Sequence, residues 1–258
     1  MNPIISALLT EVYKLRKSKM IWITFLAFSL APFIGGLFMF ILKNPELAES
    51  AGLIGTKAQI AGEATWPSYF GLLSQMIAVG GILIFGFVTS WVFGREYTDR
   101  TIKDLIALPF PRSTIIAAKF LTAFIANMLL SIYVMVIGIL IGHFITLPGW
   151  SSAIFTEGVM TLIVTALLTV MLSTPVALFA CLGRGYLAPL GFVVGMVVFS
   201  QIIAALGYGA YFPWAIPALY SGISGDAGIG LGHLGIVVFT SILGLVVTFQ
   251  WWRLADHT

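Results

Sequence analysis

The sequence predicts an all-α integral membrane protein, with six transmembrane helices preceded by an N-terminal amphipathic interfacial helix. Three observations carry this reading. Hydrophobic residues make up 59% of the 258 residues and charged residues only 9%, whereas a soluble domain carries roughly 25% charge to keep its surface wet. Six apolar runs match the ~20 residues that a helix needs to cross a hydrocarbon core about 30 Å thick. The basic residues fall almost entirely on one side of those runs. A mean hydropathy of +1.04 agrees. An ordinary soluble enzyme, a disordered chain and a disulfide scaffold are excluded. The single cysteine, Cys181, can form neither an internal disulfide nor a thiolate cluster. It reads as a small packing residue.

Residues 3–19 come first. Ile5, Leu8, Leu9, Val12 and Leu15 fall on one helical face, and Ser6, Thr10, Glu11, Lys14 and Lys17 on the other. Spacings of three and four residues make that stripe, and its basic flank suits a helix lying on an anionic leaflet. The first span, about 20–42, holds no charge, and its run is too long for the core of a signal peptide. The second, 67–93, lies between Glu63 and Arg95. The third, 115–142, admits Lys119 near its start, where a long side chain is expected to snorkel. The fourth, 157–182, lies between Glu157 and Arg184, and Pro175 is expected to kink it. The fifth covers 186–206, and the sixth, 233–252, ends at Trp251 and Trp252. No ten-residue segment alternates apolar with polar as barrel strands do.

Charge sets the orientation. The N-terminal segment, the link between spans two and three, the link between spans four and five, and the C-terminus hold eleven of the 13 Lys and Arg residues. The remaining connections hold only Lys43 and Lys57. Basic residues stay on the cytoplasmic side, so both termini are expected inside. The outer segment 207–232 is long, and its stretch from Tyr211 to Pro217 is rich in aromatics. It is too apolar for a free aqueous loop and reads as a partly re-entrant or interface-lying segment.

Catalytic chemistry is sparse. His143, His233 and His257 form no close pair, and no metal-ligand spacing occurs. No phosphate loop and no nucleophile elbow are present. The span interiors lack ionisable residues away from their ends, which argues against proton-coupled transport and intramembrane proteolysis. Thr161, Thr165, Thr169 and Ser173 recur at four-residue steps on the fourth span. They either line a translocation path or bond their own helix carbonyls. Gly138 with Gly142, and Gly191 with Gly195, have the spacing that lets helices approach closely.

The most informative stretch is the cytoplasmic link 95–112. Thr98 or Asp99 can cap a helix start, and Pro109 and Pro111 bound it at the other end. Between them a helix of two to three turns is expected. The order Glu96, Thr101, the pair Leu105 and Ile106, Pro109, Arg112 and Lys119 resembles ABC-2 type transporter permeases. The stretch from Glu11 to Lys19 resembles the start of the smaller members, such as bacitracin-export and lantibiotic-immunity permeases.

The resemblance implies a single permease domain over 1–258, of the type V exporter kind, with residues 3–19 as the elbow helix and 95–112 as the coupling segment. Glu96, Tyr97, Thr101, Asp104, Leu105, Ile106 and Arg112 would couple it to an ATPase. Two copies of a cytoplasmic ABC ATPase would bind ATP and Mg²⁺, so this chain would carry no cofactor and be no enzyme itself. A second permease copy or a homologous permease would complete the unit in a bacterial cytoplasmic membrane, and nucleic acid is not an expected partner. The cargo would be an amphipathic antibiotic, peptide or lipid. Within the family, sodium export and maturation of a periplasmic metalloenzyme are alternatives. From other classes, a membrane sensor or scaffold needs no ATPase. A lipid-modifying enzyme needs a site that Glu157, Asp226, His143 and His233 do not form.

The charge asymmetry predicts that a membrane-impermeant thiol reagent added outside labels a cysteine placed at Ser50 and not one placed at Ser113. The reverse pattern would overturn the orientation.

Overall fold

A backbone inside hydrocarbon must satisfy its own amides, and this chain does so with helices throughout. The computed structural model describes residues 3–44, 63–107, 111–223 and 228–254. Glu46, Glu49 and Lys57 of the outer loop, residues 108–110 of the cytoplasmic link, Asp226 and His257 lie outside the described residues. So does the side chain of Ile106.

Helix α1 spans Pro3–Lys17, with proline at its first position, where no amide donor is needed. Ser18 breaks the chain and caps α2, Lys19–Lys43, its hydroxyl accepting from the Met20 N–H. Next come α3, Trp66–Thr98, the short α4, Ile102–Ile106, and α5, Arg112–Phe144. The fourth span is two helices, α6, Ser152–Met171, and α7, Thr174–Leu182, parted just ahead of Pro175. Helix α8 is Leu187–Ala205, α9 is the short Ile216–Tyr220, and α10 is Leu231–Leu254. Six stretches among them are long and apolar enough to cross a membrane.

Two boundaries differ from the sequence reading in a way that matters. Helix α3 continues through Arg95, Glu96 and Tyr97 to Thr98, so these residues extend the second span instead of belonging to the link. Helix α6 starts at Ser152, which puts Glu157 within it. Glu96 is buried within the bundle, and Glu157 is exposed in the second turn of α6.

Helix α3 is the central post. It packs on α2, α5, α6 and α8, and Leu73, Ile77, Phe85, Val88 and Phe93 on it are wholly buried. Of the two glycine pairs, one is a seam within the subunit. A Cβ at Gly138 would lie 2.5 Å from Leu73 Cδ1, and one at Gly142 would lie 2.6 Å from Trp66 Cη2. Only bare backbone lets α5 sit so close to α3. Gly191 and Gly195 face open space, on a helix that also exposes Val194, Val198 and Ile202. At the opposite end of α5 from Arg112, Lys43 closes the helix by donating to the carbonyls of Ile145 and Thr146 at 2.7 and 2.9 Å. A basic side chain there satisfies carbonyls that the helix leaves free.

The outer segment turns at Gly207, whose φ of +86° suits glycine. It then packs into the bundle. Trp214 and Ile216 share one buried cluster with Ile82, Leu168, Leu172 and Val237. Ile82 lies near the middle of α3, so the apolar stretch from Tyr211 to Pro217 inserts among the spans, while Tyr208 and Tyr211 remain exposed.

Candidate functional site

The site is built around a lysine with no exposed surface. Lys119 lies two turns into α5 and is 0% exposed. It does not snorkel. Its ammonium has three protons and finds three acceptors: the Val92 carbonyl at 2.7 Å, Glu96 Oε2 at 2.8 Å and Glu11 Oε2 at 3.3 Å. Every donor is therefore used. The carboxylates are shared in turn. Lys14 Nζ lies 2.9 Å from Glu11 Oε1 and 3.5 Å from Glu96 Oε1, and Arg95 Nε lies 3.1 Å from Glu96 Oε1. Arg95 also stacks over the Trp91 ring at 4.7 Å. Two acids and three bases thus tie α1, the end of α3 and the start of α5 into one unit.

This cluster explains how α1 sits. Its polar face was expected to meet water. Instead Glu11 is buried, with Leu15 beside it, and Ile5, Leu9 and Val12 are exposed. The attraction of Lys119 for Glu11 turns the acidic face inward and leaves the apolar stripe for lipid. A buried ion without a partner is so unfavourable that this orientation prevails.

The end of α3 is shaped just as closely. Arg100 has φ of +59°. The Thr101 N–H reaches the Glu96 carbonyl at 2.9 Å and the Arg100 N–H reaches the Tyr97 carbonyl at 3.3 Å. That pair of bonds is a Schellman close, here with arginine where glycine is usual. It shortens the expected coupling helix to α4 alone. Ile102 of α4 is buried and Leu105 half-buried against this chain's own core. The side chains left exposed are Asp99, Arg100, Thr101, Lys103 and Asp104. Leu105 is therefore not a free apolar anchor, because most of its contact is already made within the subunit. Between α1 and this turn lies a cavity of about 450 Å³, with Glu11, Lys14, Arg95 and Glu96 among its lining and Asp99 and Asp104 beside them.

Other expected site residues are placed apart from this cluster. Arg112 donates to the Trp252 carbonyl at 3.3 Å, so it closes the last turn of α10. The Trp252 indole N–H in turn donates to Cys181 Sγ at 3.1 Å, which makes the cysteine an acceptor as well as a packing group. The hydroxyl row does not line a path within the subunit. Thr165 and Thr169 are buried where α6 packs on α3, and a Cβ at Gly81 would meet Thr169 Cγ2 at 3.2 Å. Thr169 donates to the Thr165 carbonyl and Ser173 to that of Val170. Thr161 alone is half-open, in a pocket near Glu157 and Phe70. The partnership of Glu11 with Lys119 was not visible in spacing. The available signal was a lysine set deep in an apolar run, since such a charge demands a carboxylate from elsewhere.

Residues 7–201 match the ABC-2 family transporter protein family. The chain belongs to that family. It is a multi-pass membrane permease, and the matched stretch takes in Glu11, Glu96 and Lys119. The permease is also 27% identical over 189 residues to the bacitracin transport permease protein BCRB of Bacillus licheniformis, a match covering 68% of this chain and 85% of that protein.

Removing one partner from a buried ion pair typically costs about 3–5 kcal/mol, because the other charge is left uncompensated. Lys119→Met is therefore expected to lower the thermal midpoint of the detergent-purified permease sharply. Adding Glu96→Gln to Lys119→Met should recover part of the loss. Equal midpoints for parent and Lys119→Met would refute the hub.

Proposed function

We propose that this permease is the membrane-spanning subunit of an ATP-driven exporter. Its cytoplasmic turn, residues 99–104, would be the contact for a separate ABC ATPase. One observation carries this reading: the turn exposes five polar side chains on either side of the buried Ile102 while its base is anchored in the buried ion cluster. A surface that is wet, charged and rigidly mounted suits a docking point that transmits displacement. Two ATPase copies, holding ATP and Mg²⁺, would sit beneath two permeases, either identical or homologous. Both termini would lie in the cytoplasm of a bacterium.

The cargo is an amphipathic antibiotic, peptide or lipid. The bacitracin transport permease relative supports this class. So does the distribution of charge, because the ionisable groups lie towards the ends of the spans and not along their middles. A small ion crossing the bilayer would need polar groups at mid-depth.

The docking reading shifts the expected contact from Leu105 and Ile106 to the polar rim of the turn. Reversing a charge at a docked rim leaves its partner unpaired and typically costs more than deleting it. Lys103→Glu with Asp104→Lys is expected to cut recovery of the co-expressed ATPase roughly tenfold or more and to abolish substrate-stimulated hydrolysis. Leu105→Ala should act through stability of the permease. Parent-level recovery and stimulation in the double charge variant would refute this contact.

A further inference from the structure

A second basic feature lies on the far side of α5. The start of α5 and the last three turns of α10 line a groove of about 730 Å³. Arg112, Ser113, Gln250 and Arg253 line its mouth, and Ile242 and Val246 line its upper wall. Among the described residues neither Arg112 nor Arg253 has a carboxylate partner. Arg112 spends one N–H on the Trp252 carbonyl, and a guanidinium has five.

The groove has the height of one leaflet. From Arg253 up to Ile242 is eleven residues of helix, about 16 Å at 1.5 Å per residue. Half of a ~30 Å hydrocarbon core is about 15 Å. Two guanidinium groups without a carboxylate partner among the described residues, with an apolar strip of that height along α10 above them, match one molecule with a phosphate at one end and an acyl chain at the other.

We infer that this groove is a binding site for an anionic phospholipid of the inner leaflet. The phosphate bridges Arg112 and Arg253, with Ser113 and Gln250 as neutral donors, and one chain lies along Ile242, Val246 and Phe249. Arginine forks suit phosphate oxygens, and basic pockets between spans on the cytoplasmic side select anionic headgroups. The inference rests on the proposed orientation only for the leaflet that supplies the lipid. It makes no use of the ATPase contact.

Native mass spectrometry of the detergent-purified permease, incubated with phosphatidylglycerol, phosphatidylcholine or inorganic phosphate, tests it. The parent is expected to retain one phosphatidylglycerol and no phosphatidylcholine, and inorganic phosphate should not displace the lipid. Arg253→Gln removes one fork, and Val246→Trp fills the groove without changing charge. Each should lower occupancy roughly fivefold or more, since a basic residue near anionic lipid is worth about that factor. Arg16→Gln, an equal charge change on α1, should leave it unchanged. Equal retention of both lipids, displacement by inorganic phosphate, or undiminished occupancy in both groove variants would overturn the assignment.

Discussion

A lysine ammonium sealed inside a membrane bundle must be surrounded by acceptors, and much of how α1, the end of α3 and the start of α5 are arranged follows from that requirement. Lys119 draws one carboxylate from α1 and one from α3, and takes a backbone carbonyl from α3 as its third acceptor. The three elements come from distant parts of the chain. Their geometry is fixed together because no one of them can move without exposing a charge to hydrocarbon. Such clusters add little net stability over a well-packed apolar alternative. What this one provides is a specific arrangement, with α1 turned inward by Glu11 and Leu15 and outward by Ile5, Leu9 and Val12.

That arrangement has a mechanical consequence. The turn that ends α3 is closed by two backbone bonds with Arg100 in a left-handed conformation, and Ile102 and Leu105 pin α4 to the core. The turn is thus joined to the base of α3, and from there through Glu96 and Lys119 to α5 and through Glu11 to α1. Helix α3 is also the post against which α2, α6 and α8 pack. Under the proposed function, a displacement of the turn would be passed along these contacts.

The spans were legible because a long apolar run in a chain with so few charges has one physical use. The orientation expected from charge rests on the same clarity. What was not legible depended on contacts between distant residues. Arg95 and Glu96 read as part of the link after the second span, because the lysines that hold Glu96 lie on α1 and α5. Gly138 with Gly142 and Gly191 with Gly195 look alike in sequence, yet one pair meets Leu73 and Trp66 and the other meets nothing. The threonine row was evident in its spacing, and only packing on α3 shows that Thr165 and Thr169 face the interior. Arg100 carried no signal at all, since glycine is the residue expected at such a close.

The central claim is that Lys119 holds α1 and the turn that ends α3 as one body. Spin labels at Tyr13 and Lys103, both exposed, with the buried Cys181 left in place, measure the distance between those elements directly. A single narrow distance distribution is predicted with Lys119 present, and a broad one once it is replaced by methionine. Identical narrow distributions in the two proteins would contradict the account.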